Sequence, residues 1–218
     1  MRKIDDFINQ VICGDCVEVL RGMPERSVDL VVTDPPYLVN FHDRSGRSVK
    51  GDHWWRKDWL EPAFSEIYRV LKENSLCLSF YGFTQADKFL NAWTAVGFRL
   101  LEHFTFTKSY ASSVGFAGRS HESAYLLAKG RPRLPDNPPS SVIQWRYTGN
   151  KFHPTQKPQE VIFPLIRAYS RPGEIVLDPF AGSGTTAVCA AKLNRQYVAI
   201  ELDRQYCEIA RQRLGNNY

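Results

Sequence analysis

One short turn of the sequence combines a carboxylate, a rigid backbone and an aromatic ring, in the order Asp34-Pro35-Pro36-Tyr37. It follows the apolar run Val28–Thr33, which predicts a buried strand, and ligands of open α/β sheets bind where strands end. The prolines restrict the backbone, so the Asp34 carboxylate and the Pro35 carbonyl keep one mutual arrangement. Both groups accept hydrogen bonds, which suits an amino group with its two donors, and Tyr37 can stack on a flat ring. The turn therefore predicts recognition of an amino group on an aromatic ring.

A glycine-rich turn forms the second candidate site. The apolar run Glu174–Leu177 predicts a strand, which leads into the segment Asp178-Pro179-Phe180-Ala181-Gly182-Ser183-Gly184-Thr185-Thr186 and then a helical pattern. Glycines between a strand and a helix let a ligand approach the backbone closely. The next predicted strand ends at Glu201, where a carboxylate can accept both hydroxyls of a ribose. Since the sequence has neither the full glycine pattern of dinucleotide-binding turns nor a P-loop, it favours a nucleoside-type ligand such as S-adenosylmethionine.

The elements that must position these turns alternate between apolar runs and helical patterns, which is typical of an α/β fold with a mainly parallel sheet. Strands are predicted at Val11–Cys13, Val28–Thr33, Leu76–Tyr81, Arg99–Thr105, Ser123–Ala128, Glu174–Leu177 and Tyr197–Glu201. Helices are predicted at Asp15–Arg21, Leu60–Leu71, Thr84–Ala95, Gln159–Tyr169, Thr185–Leu193 and Arg204–Leu214. Ligand chemistry in such sheets gathers at the carboxyl-terminal edge of the strands.

Bulk composition narrows the class of protein. The 218 residues fit one globular domain, and 43% hydrophobic with 23% charged residues is typical of a soluble folded chain. No apolar run approaches the roughly 20 residues that cross a membrane, and the N-terminus lacks the apolar core of a secretory signal. The five cysteines are scattered, so we expect reduced core thiols and a cytoplasmic protein. The pair Cys13 and Cys16 has no second ligand pair at zinc-finger spacing, and no metal site is predicted.

Two long stretches fit neither a strand nor a helix, and both are basic. The first, Leu38–Asp58, contains tryptophans beside the cations Arg44, Arg47, Lys50, Arg56 and Lys57. The second, Gly130–Phe152, is rich in proline, serine and asparagine and contains Arg131, Arg133, Arg146 and Lys151. Loops of this length in a compact domain are usually functional or disordered, and a plain solvated surface is the alternative. We expect these cations, with Lys108 and Arg119, to contact nucleic-acid phosphates, in keeping with a net charge of +5.

Taken in order, the motifs resemble the β group of amino-methyltransferases that act on DNA. The Asp34–Tyr37 turn precedes the glycine turn, which matches the permuted order of that group. The segments Cys13–Leu20 and His153–Pro158 are similar to two further signatures, and the segment from His121-Glu122 to Gly130 is similar to another block. The resemblance covers nearly the whole chain, and the order of the motifs makes it specific.

The resemblance implies a Rossmann-like, seven-stranded, mostly parallel sheet with helices on both faces, and a site for S-adenosylmethionine, which becomes S-adenosylhomocysteine. Phe180–Gly184 would line the methionine end of the cofactor and Glu201 would hold its ribose. Asp15 and the Cys16 backbone would contact its adenine, and Lys157 would brace its amino-acid part. The implied cofactor contacts are Asp15, Cys16, Asp34, His153, Thr155, Gln156, Lys157, Asp178, Pro179, Phe180, Ala181, Gly182, Ser183, Gly184, Thr185, Thr186, Glu201 and Leu202.

The implied reaction is direct, in-line transfer of a methyl group to an exocyclic amino nitrogen of a flipped-out DNA base. In the catalytic turn, which includes Pro36, Asp34 and the Pro35 carbonyl would accept the amino hydrogens while Tyr37 stacks on the base. Aspartate at the first motif position favours adenine N6 over cytosine N4. Methylation of cytosine C5 needs a thiolate, commonly one that follows a proline, and no cysteine here does. N4-cytosine methylation, RNA methylation and an inactive cofactor- and DNA-binding subunit stay open as alternatives.

The motif order also predicts how the chain is organised. We expect one domain over residues 1–218, with a catalytic half at 1–130, a target-recognition segment at 131–152 and a cofactor-binding half at 153–218. Because that recognition segment is short, it predicts a short recognition sequence or relaxed specificity. Analogy with the β group adds a homodimer, with DNA as the partner and no membrane. The sequence does not distinguish a restriction-modification role from a regulatory or mobile-element role.

Overall fold

The computed structural model describes residues 3–42, 46–52, 58–111 and 115–215. The predicted DNA contacts Arg44, Arg56 and Lys57 lie outside the described residues, as do Trp54 and Trp55. No helix in the described part of the chain is long and apolar enough to cross a membrane.

Strands and helices alternate along most of the chain. The strands are β1 (Gln10–Cys13), β2 (Val28–Thr33), β3 (Leu71–Tyr81), β4 (Arg99–Lys108), β5 (His121–Lys129), β6 (Val142–Trp145), β7 (Ile175–Asp178) and β8 (Gln196–Glu201). The helices are α1 (Cys16–Arg21), α2 (Leu60–Val70), α3 (Ala86–Ala95), α4 (Gln159–Tyr169), α5 (Thr185–Lys192) and α6 (Arg204–Gly215). Every predicted strand and helix is present, most with small shifts at the ends. The strand β3 begins five residues before its predicted start at Leu76, and a short 3-10 helix at Phe83–Gln85 replaces the start of the helix predicted from Thr84.

The strands form one sheet in the order β1-β8-β7-β2-β3-β5-β4-β6. Neighbouring strands are parallel except where β5 pairs with β3 and with β4. The mostly parallel, Rossmann-like sheet is confirmed, but it has eight strands rather than seven. The extra strand, β6, lies in Gly130–Phe152, where we predicted no strand. It is short and only Trp145 in it is buried, so it lacks the apolar alternation that would reveal it.

Helices cover both faces of the sheet, as predicted. Val31 of β2 packs in one apolar cluster with Phe64 of α2 and Trp93 of α3. Its neighbours Leu30 and Val32 pack in another cluster, together with residues of α4 and α5. Because successive side chains of a strand point to opposite faces, this continuous apolar strand needs a helical layer on each side.

Strand direction decides which loops meet at the site. Parallel pairing brings together the carboxyl ends of β2, β3, β7 and β8 at one edge of the sheet. The antiparallel β5 carries the chain away from this edge, and its last residue, Lys129, pairs with Ser75. β6 then returns beside β4, where Trp145 pairs with Lys108. The segment between β5 and β6 therefore starts at the opposite edge.

Candidate functional site

A cavity of about 1300 Å³ opens along the carboxyl-terminal edge of the sheet. The predicted residues that line it are Asp15, Cys16, Asp34, Pro35, Pro36, Tyr37, His153, Thr155, Gln156, Lys157, Asp178, Pro179, Phe180, Ala181, Gly182, Ser183, Thr185, Thr186, Glu201 and Leu202. Gly184 is not among the lining residues, since it is turned toward α6, where an added Cβ would lie 2.8 Å from the Ala210 Cβ. The two predicted turns and the His153–Lys157 segment thus share one cavity.

The catalytic turn holds Asp34 by both carboxylate oxygens. The Tyr37 hydroxyl donates a hydrogen bond to Asp34 Oδ1 at 2.8 Å, and the Lys157 ammonium donates to Oδ2. Gly82, directly after β3, leaves room for Tyr37, because a Cβ at this position would lie 2.8 Å from the Tyr37 Cβ. The neighbouring strand end and a distant lysine therefore fix the turn that the prolines stiffen.

A second carboxylate, Glu122 at the start of β5, completes a cluster of charged side chains. Lys157 Nζ lies 3.2 Å from Glu122 Oε2, and the Tyr37 hydroxyl lies 3.3 Å from the same oxygen. Lys108 of β4 donates to the other oxygen, Oε1, at 2.5 Å. Both lysine side chains are only 6% exposed, so these ion pairs form largely away from water. In such surroundings an unpaired charge is costly, and the two carboxylates balance the two lysines.

Burial and neighbouring charges move the pKa values in this cluster. Burial raises the pKa of Asp34, and Glu122 raises it further, while Lys157 opposes both. Burial also raises the pKa of Glu122, but Lys157 and Lys108 outweigh it and leave that pKa below its ordinary value. Burial lowers the pKa of Lys157, whereas Asp34 and Glu122 bring it above its ordinary value. The lysine therefore stays charged beside two carboxylates that differ in proton affinity.

Backbone hydrogen bonds hold the glycine turn, and one of them joins it to the Glu201 carboxylate. The N–H groups of Gly182 and Asp203 donate to the two oxygens of its carboxylate at 2.8 and 2.7 Å. Gly182 and Gly184 have φ values of 51° and 79°, a region that side chains other than glycine rarely adopt. The glycines are needed for the path of the turn, and Glu201 anchors that path.

An arginine that the sequence did not single out clamps the same turn. Arg213 of α6 is buried and donates through Nη1 to the Ser183 carbonyl at 2.6 Å and to the Ser183 hydroxyl at 2.9 Å. Its guanidinium lies 4.8 Å from the centre of the Phe152 ring. The last helix therefore fixes the glycine turn against the segment that precedes α4.

His153 is placed beside the glycine turn, as the predicted cofactor role requires. Its Nδ1 accepts the Thr155 N–H at 3.2 Å, which leaves Nε2 to carry the proton. Burial, with Lys157 and Arg47, lowers the pKa of His153 to about 3, so the ring stays neutral. An added Cβ on Gly182 would lie 3.5 Å from His153 Cδ2. The two residues of the His153–Pro158 segment therefore differ in position: Lys157 contacts Asp34 and Glu122, whereas His153 faces the glycine turn.

Asp15 and Cys16 lie at the far end of the cavity, where β1 leads into α1. Asp15 caps the helix by accepting the N–H groups of Val17 and Glu18 at 2.9 and 3.2 Å. Cys16 is buried, and burial raises the pKa of its thiol to about 12. All five cysteines are free, and Cys13 is exposed, so the prediction of core thiols fits four of them.

The predicted DNA contacts separate into groups with different surroundings. Arg47, Lys50, Lys108 and Arg119 line the cavity, and Arg146 and Lys151 are exposed residues of the segment after β6. Lys50 is paired with Asp203 at 2.9 Å, on the side of the glycine turn. Arg131 and Arg133 follow β5 directly and lie at the opposite edge of the sheet. The antiparallel direction of β5, invisible in the residue pattern, removes these two from the cavity.

Four residues at the site escaped the sequence prediction as functional residues: Gly82, Glu122, Trp59 and Arg213. Glu122 was noticed only as part of a sequence block, and Gly82 had a usable signal as a glycine directly after a predicted strand. The indole Nε1 of Trp59 is buried and has no hydrogen-bond partner among the described residues, and its ring packs edge-on against Phe180 at 5.2 Å. Arg213 gave no local signal, since it is one of several cations on its helix.

The fold and the cavity are those of an α/β protein in which a glycine turn and an Asp-Pro-Pro-Tyr turn share one site. Residues 28–212 match the family described as DNA methylase, N6_N4_Mtase. The chain belongs to this DNA methylase family. The family name covers both N6 and N4, so the match leaves the choice of base open.

Individual proteins agree with this assignment. The chain is 49% identical to YubD of Escherichia coli (strain K12) over 208 residues, which cover 95% of this chain and 91% of YubD. It is similar to the structure of TTHA0409 from Thermus thermophilus, with a TM-score of 0.76, 25% identity and 95% coverage of each chain. TTHA0409 has also been solved in complex with S-adenosyl-L-methionine. The cytosine-N4-specific PvuII DNA methyltransferase has a TM-score of 0.75 at 18% identity, with 95% of this chain and 88% of that chain covered, a likeness of fold alone.

Proposed function

We propose that this protein transfers a methyl group from S-adenosylmethionine to the exocyclic N6 of adenine in DNA, with the target base flipped out of the helix. The observation that carries the proposal is the shared cavity, in which the two acceptors of the catalytic turn lie beside a glycine turn. Neither turn alone would indicate a methyltransferase. Together they bring an amino group and a nucleoside-type cofactor to one place.

The residues of the glycine turn suit S-adenosylmethionine. Each oxygen of Glu201 accepts one backbone N–H, and a carboxylate has about four acceptor positions, so acceptors remain for the ribose hydroxyls. Trp59 Nε1, which has no hydrogen-bond partner among the described residues, offers a buried donor on the cavity wall. Gly182 lets a ligand approach the backbone, and Asp15 with the Cys16 backbone would hold the adenine. When bound, the cofactor supplies an electrophilic methyl group on a sulfonium.

Asp34 and the Pro35 carbonyl prepare the nucleophile. The lone pair of an aromatic amino group is delocalised into its ring, which makes the nitrogen a poor nucleophile. Acceptance of its two hydrogens by these oxygens favours a more tetrahedral nitrogen with a more available lone pair. The same acceptors stabilise the positive charge that develops on the nitrogen, which can lose its proton late.

Tyr37 is placed to recognise the flipped base. Its hydroxyl is tied to Asp34, which keeps the ring next to the acceptors that bind the amino group. A flat ring there can stack on the target base and compensate part of the few kcal/mol that unstacking costs. The Tyr37 side chain thus links base binding to the orientation of the carboxylate.

Cations and aromatic rings around the cavity mouth support a polymeric substrate. Phe83 and Tyr147 line the cavity, yet their side chains are 62% and 60% exposed, which suits stacking on bases. Three cations would contact phosphates: Arg119, whose guanidinium lies 5.1 Å from the Phe83 ring centre, and the exposed Arg146 and Lys151.

The cations outside the described residues, Arg44, Arg56 and Lys57, stay in the proposed set of DNA contacts. We leave out Arg131 and Arg133 because of their position, and assign Lys50 and Lys108 to ion pairs.

The choice of adenine rests on aspartate at the first position of the catalytic turn, and N4-cytosine methylation is the second candidate. Cytosine C5 chemistry has less support, since it needs a thiolate. The thiols of Cys16, Cys77, Cys189 and Cys207 are buried, and burial raises their pKa values. A homodimer, a single domain and a cytoplasmic location stay predictions.

Product analysis tests the proposal. Purified protein is incubated with methyl-labelled cofactor and either DNA or RNA, and the nucleosides are separated after digestion. The expected product is N6-methyladenine in DNA, formed at least about a hundredfold more slowly by an Asp34→Ala variant. N4-methylcytosine would select the second candidate, and methylated RNA alone would contradict both. Cofactor binding without any methylated product would indicate the inactive subunit.

A further inference from the structure

The charged cluster at the catalytic turn joins three parts of the chain that are far apart in sequence. Asp34 follows β2, Glu122 begins β5, and Lys157 precedes α4. Lys157 bridges the two carboxylates, with its ammonium on Asp34 Oδ2 and 3.2 Å from Glu122 Oε2. The Tyr37 hydroxyl forms a second bridge, 2.8 Å from Asp34 Oδ1 and 3.3 Å from Glu122 Oε2. Asp34 is thus coupled to Glu122 through two donors.

The charge of Asp34 matters for the reaction because only a carboxylate oxygen accepts an amino hydrogen without offering a competing donor. A protonated Asp34 would present an O–H that needs an acceptor of its own. Lys157 and Glu122 shift the ionisation of Asp34 in opposite directions, because a positive neighbour favours the carboxylate and a negative neighbour favours the protonated acid. The side chains that touch Asp34 therefore decide the pH range in which it can work.

We propose that Lys157 and Glu122 are positioning residues for methyl transfer, which set the ionisation of Asp34 and aim its free lone pairs at the target amino group. The inference rests on the proposed function and adds to it a pair of residues with opposing roles. Lys157 holds Asp34 as a carboxylate at neutral pH. Glu122 holds Lys157 in place and supplies the second negative charge that balances the two buried lysines, Lys108 and Lys157.

Other ionisable groups surround the cluster from each neighbouring element. Those facing Asp34, Glu122 or Lys157 are Lys108 on β4, Tyr110 after it, Tyr37 in the turn, Asp178 at the end of β7 and His153 before α4. His153 is neutral and the tyrosines titrate well above neutrality, so these three leave the charge balance unchanged between acidic and neutral pH. Burial raises the pKa of Asp178 to about 7, so Asp178 does titrate in this range, in the wild type and in both variants alike. Lys108 is paired with Glu122, which leaves Lys157 as the cation in contact with Asp34.

The test is the pH dependence of single-turnover methyl transfer in two variants, since a single turnover excludes product release. In Lys157→Met the pKa of Asp34 should rise. The acid limb of the pH profile, where the rate falls as Asp34 is protonated, should then move to higher pH by about one to three units. In Glu122→Gln the pKa of Asp34 should fall, so the limb moves down, by about one pH unit. A general loss of structure cannot produce shifts of opposite sign. Two shifts in the same direction, or none, would overturn the inference.

Matched controls separate this role from others. Lys72 forms the same kind of pair with Asp29 at the other end of β2, with 2.6 Å between Lys72 Nζ and Asp29 Oδ1, so Lys72→Met should leave the acid limb unchanged. Lys157→Arg keeps the charge and should restore most of the wild-type profile. If Lys157 mainly braced the cofactor, Lys157→Met would raise the Kd for S-adenosylmethionine and leave the profile in place, which contradicts the proposal.

Direct titration of Asp34 distinguishes a failure of the inference from a failure of the proposed function. Carbon NMR of protein labelled at aspartate, assigned with Asp34→Asn, follows this carboxyl without substrate. The same opposite displacements in Lys157→Met and Glu122→Gln are expected whichever base is methylated. An Asp34 pKa that is the same in the wild type and in both variants would refute the assignment even in a fully active enzyme.

Discussion

The two turns at the carboxyl-terminal edge both hold a carboxylate beside the cavity, but they hold it with different partners. Glu201 accepts backbone N–H groups, from Gly182 at 2.8 Å and Asp203 at 2.7 Å. Asp34 accepts side-chain donors, from Tyr37 and from Lys157, which lies 123 positions away in sequence. Backbone donors are neutral and present whatever the side chain, whereas a lysine brings a charge that depends on its neighbours. The carboxylate beside the glycine turn is therefore held by backbone hydrogen bonds, whereas the carboxylate of the catalytic turn is held by a hydroxyl and a charged side chain.

The largest effect should follow from removing the catalytic acceptor. Asp34→Ala should reduce methyl transfer by about a hundredfold or more, since loss of one group that stabilises developing charge typically costs that much. Cofactor binding should persist, because the glycine turn keeps its own anchors. Asp29→Asn, at the other end of β2, is the matched control and should retain transfer per folded molecule. Rates and cofactor affinity are measured separately, and an Asp34→Ala enzyme of wild-type rate would remove Asp34 from the mechanism.

The corresponding change at the other turn should act on the cofactor. Glu201→Ala removes the acceptor of two backbone donors and should weaken S-adenosylmethionine binding by about ten- to a hundredfold, the loss typical of hydrogen bonds to a charged group. Calorimetric titration of the ligand checks the Kd. The pH dependence of the transfer step should not move, since Glu201 lies outside the cluster around Asp34. A displaced acid limb with unchanged affinity would contradict the division between the two turns.

Backbone geometry should dominate stability at the cofactor turn. In Gly184→Ala the new Cβ would meet Ala210 at 2.8 Å in addition to the cost of a φ of 79°. Gly173→Ala is the matched control, because its φ is 84° and nothing lies within 4 Å of the added Cβ. Both should be destabilised by about 1 kcal/mol or more, and Gly184→Ala by about 1–3 kcal/mol beyond the control. Denaturant unfolding measures the difference in stability. Equal losses of stability in the two variants would mean that α6 moves away from the added Cβ at no cost.

The last prediction concerns Asp178, which ends β7 between the two turns. Burial raises the pKa of its carboxyl to about 7, against the opposing hydrogen bonds of Thr186 and Phe180. In the unfolded chain the group ionises near 3.8, so between these values the folded state binds more protons and stability falls as the pH rises. Asp178→Asn should therefore show a shallower loss of stability from about pH 4 to about pH 7. Unfolding free energies across this range test the sign, and an equal slope in both proteins would contradict it.

Local patterns were sufficient to predict the helices α1 to α6, all the described strands except β6, and both turns. The mainly apolar run Val28–Thr33 identified a buried strand, and Gln159–Tyr169 was predicted with the bounds it has. Both predictions depend on contacts within a few residues or on the regular spacing of apolar residues that burial imposes. Glu201 was found in the same way, because the spacing from a glycine turn to the end of the next strand is set by one helix and one strand.

Long-range pairing accounts for what the sequence did not reveal. Glu122 meets Lys157 only because β5 runs antiparallel beside β3, and no pattern in either segment encodes that direction. The same reversal sends Arg131 and Arg133 to the far edge of the sheet. β6 escaped prediction because only Trp145 in it is buried. The contacts of Lys157 with Asp34 and Glu122 were not predicted, since its sequence block contains no information about which carboxylates it would reach. Its contact with the amino-acid part of the cofactor stays a prediction.

Methylation patterns in living cells test the central claim most directly. DNA from a host without endogenous N6-adenine methylation, expressing either the wild-type protein or Asp34→Asn, is sequenced by a method that detects modified bases. We expect N6-methyladenine at a short or relaxed motif with the wild-type protein and far less with the variant. Modified adenine at equal levels in both hosts, or its absence from both despite folded protein, would contradict it.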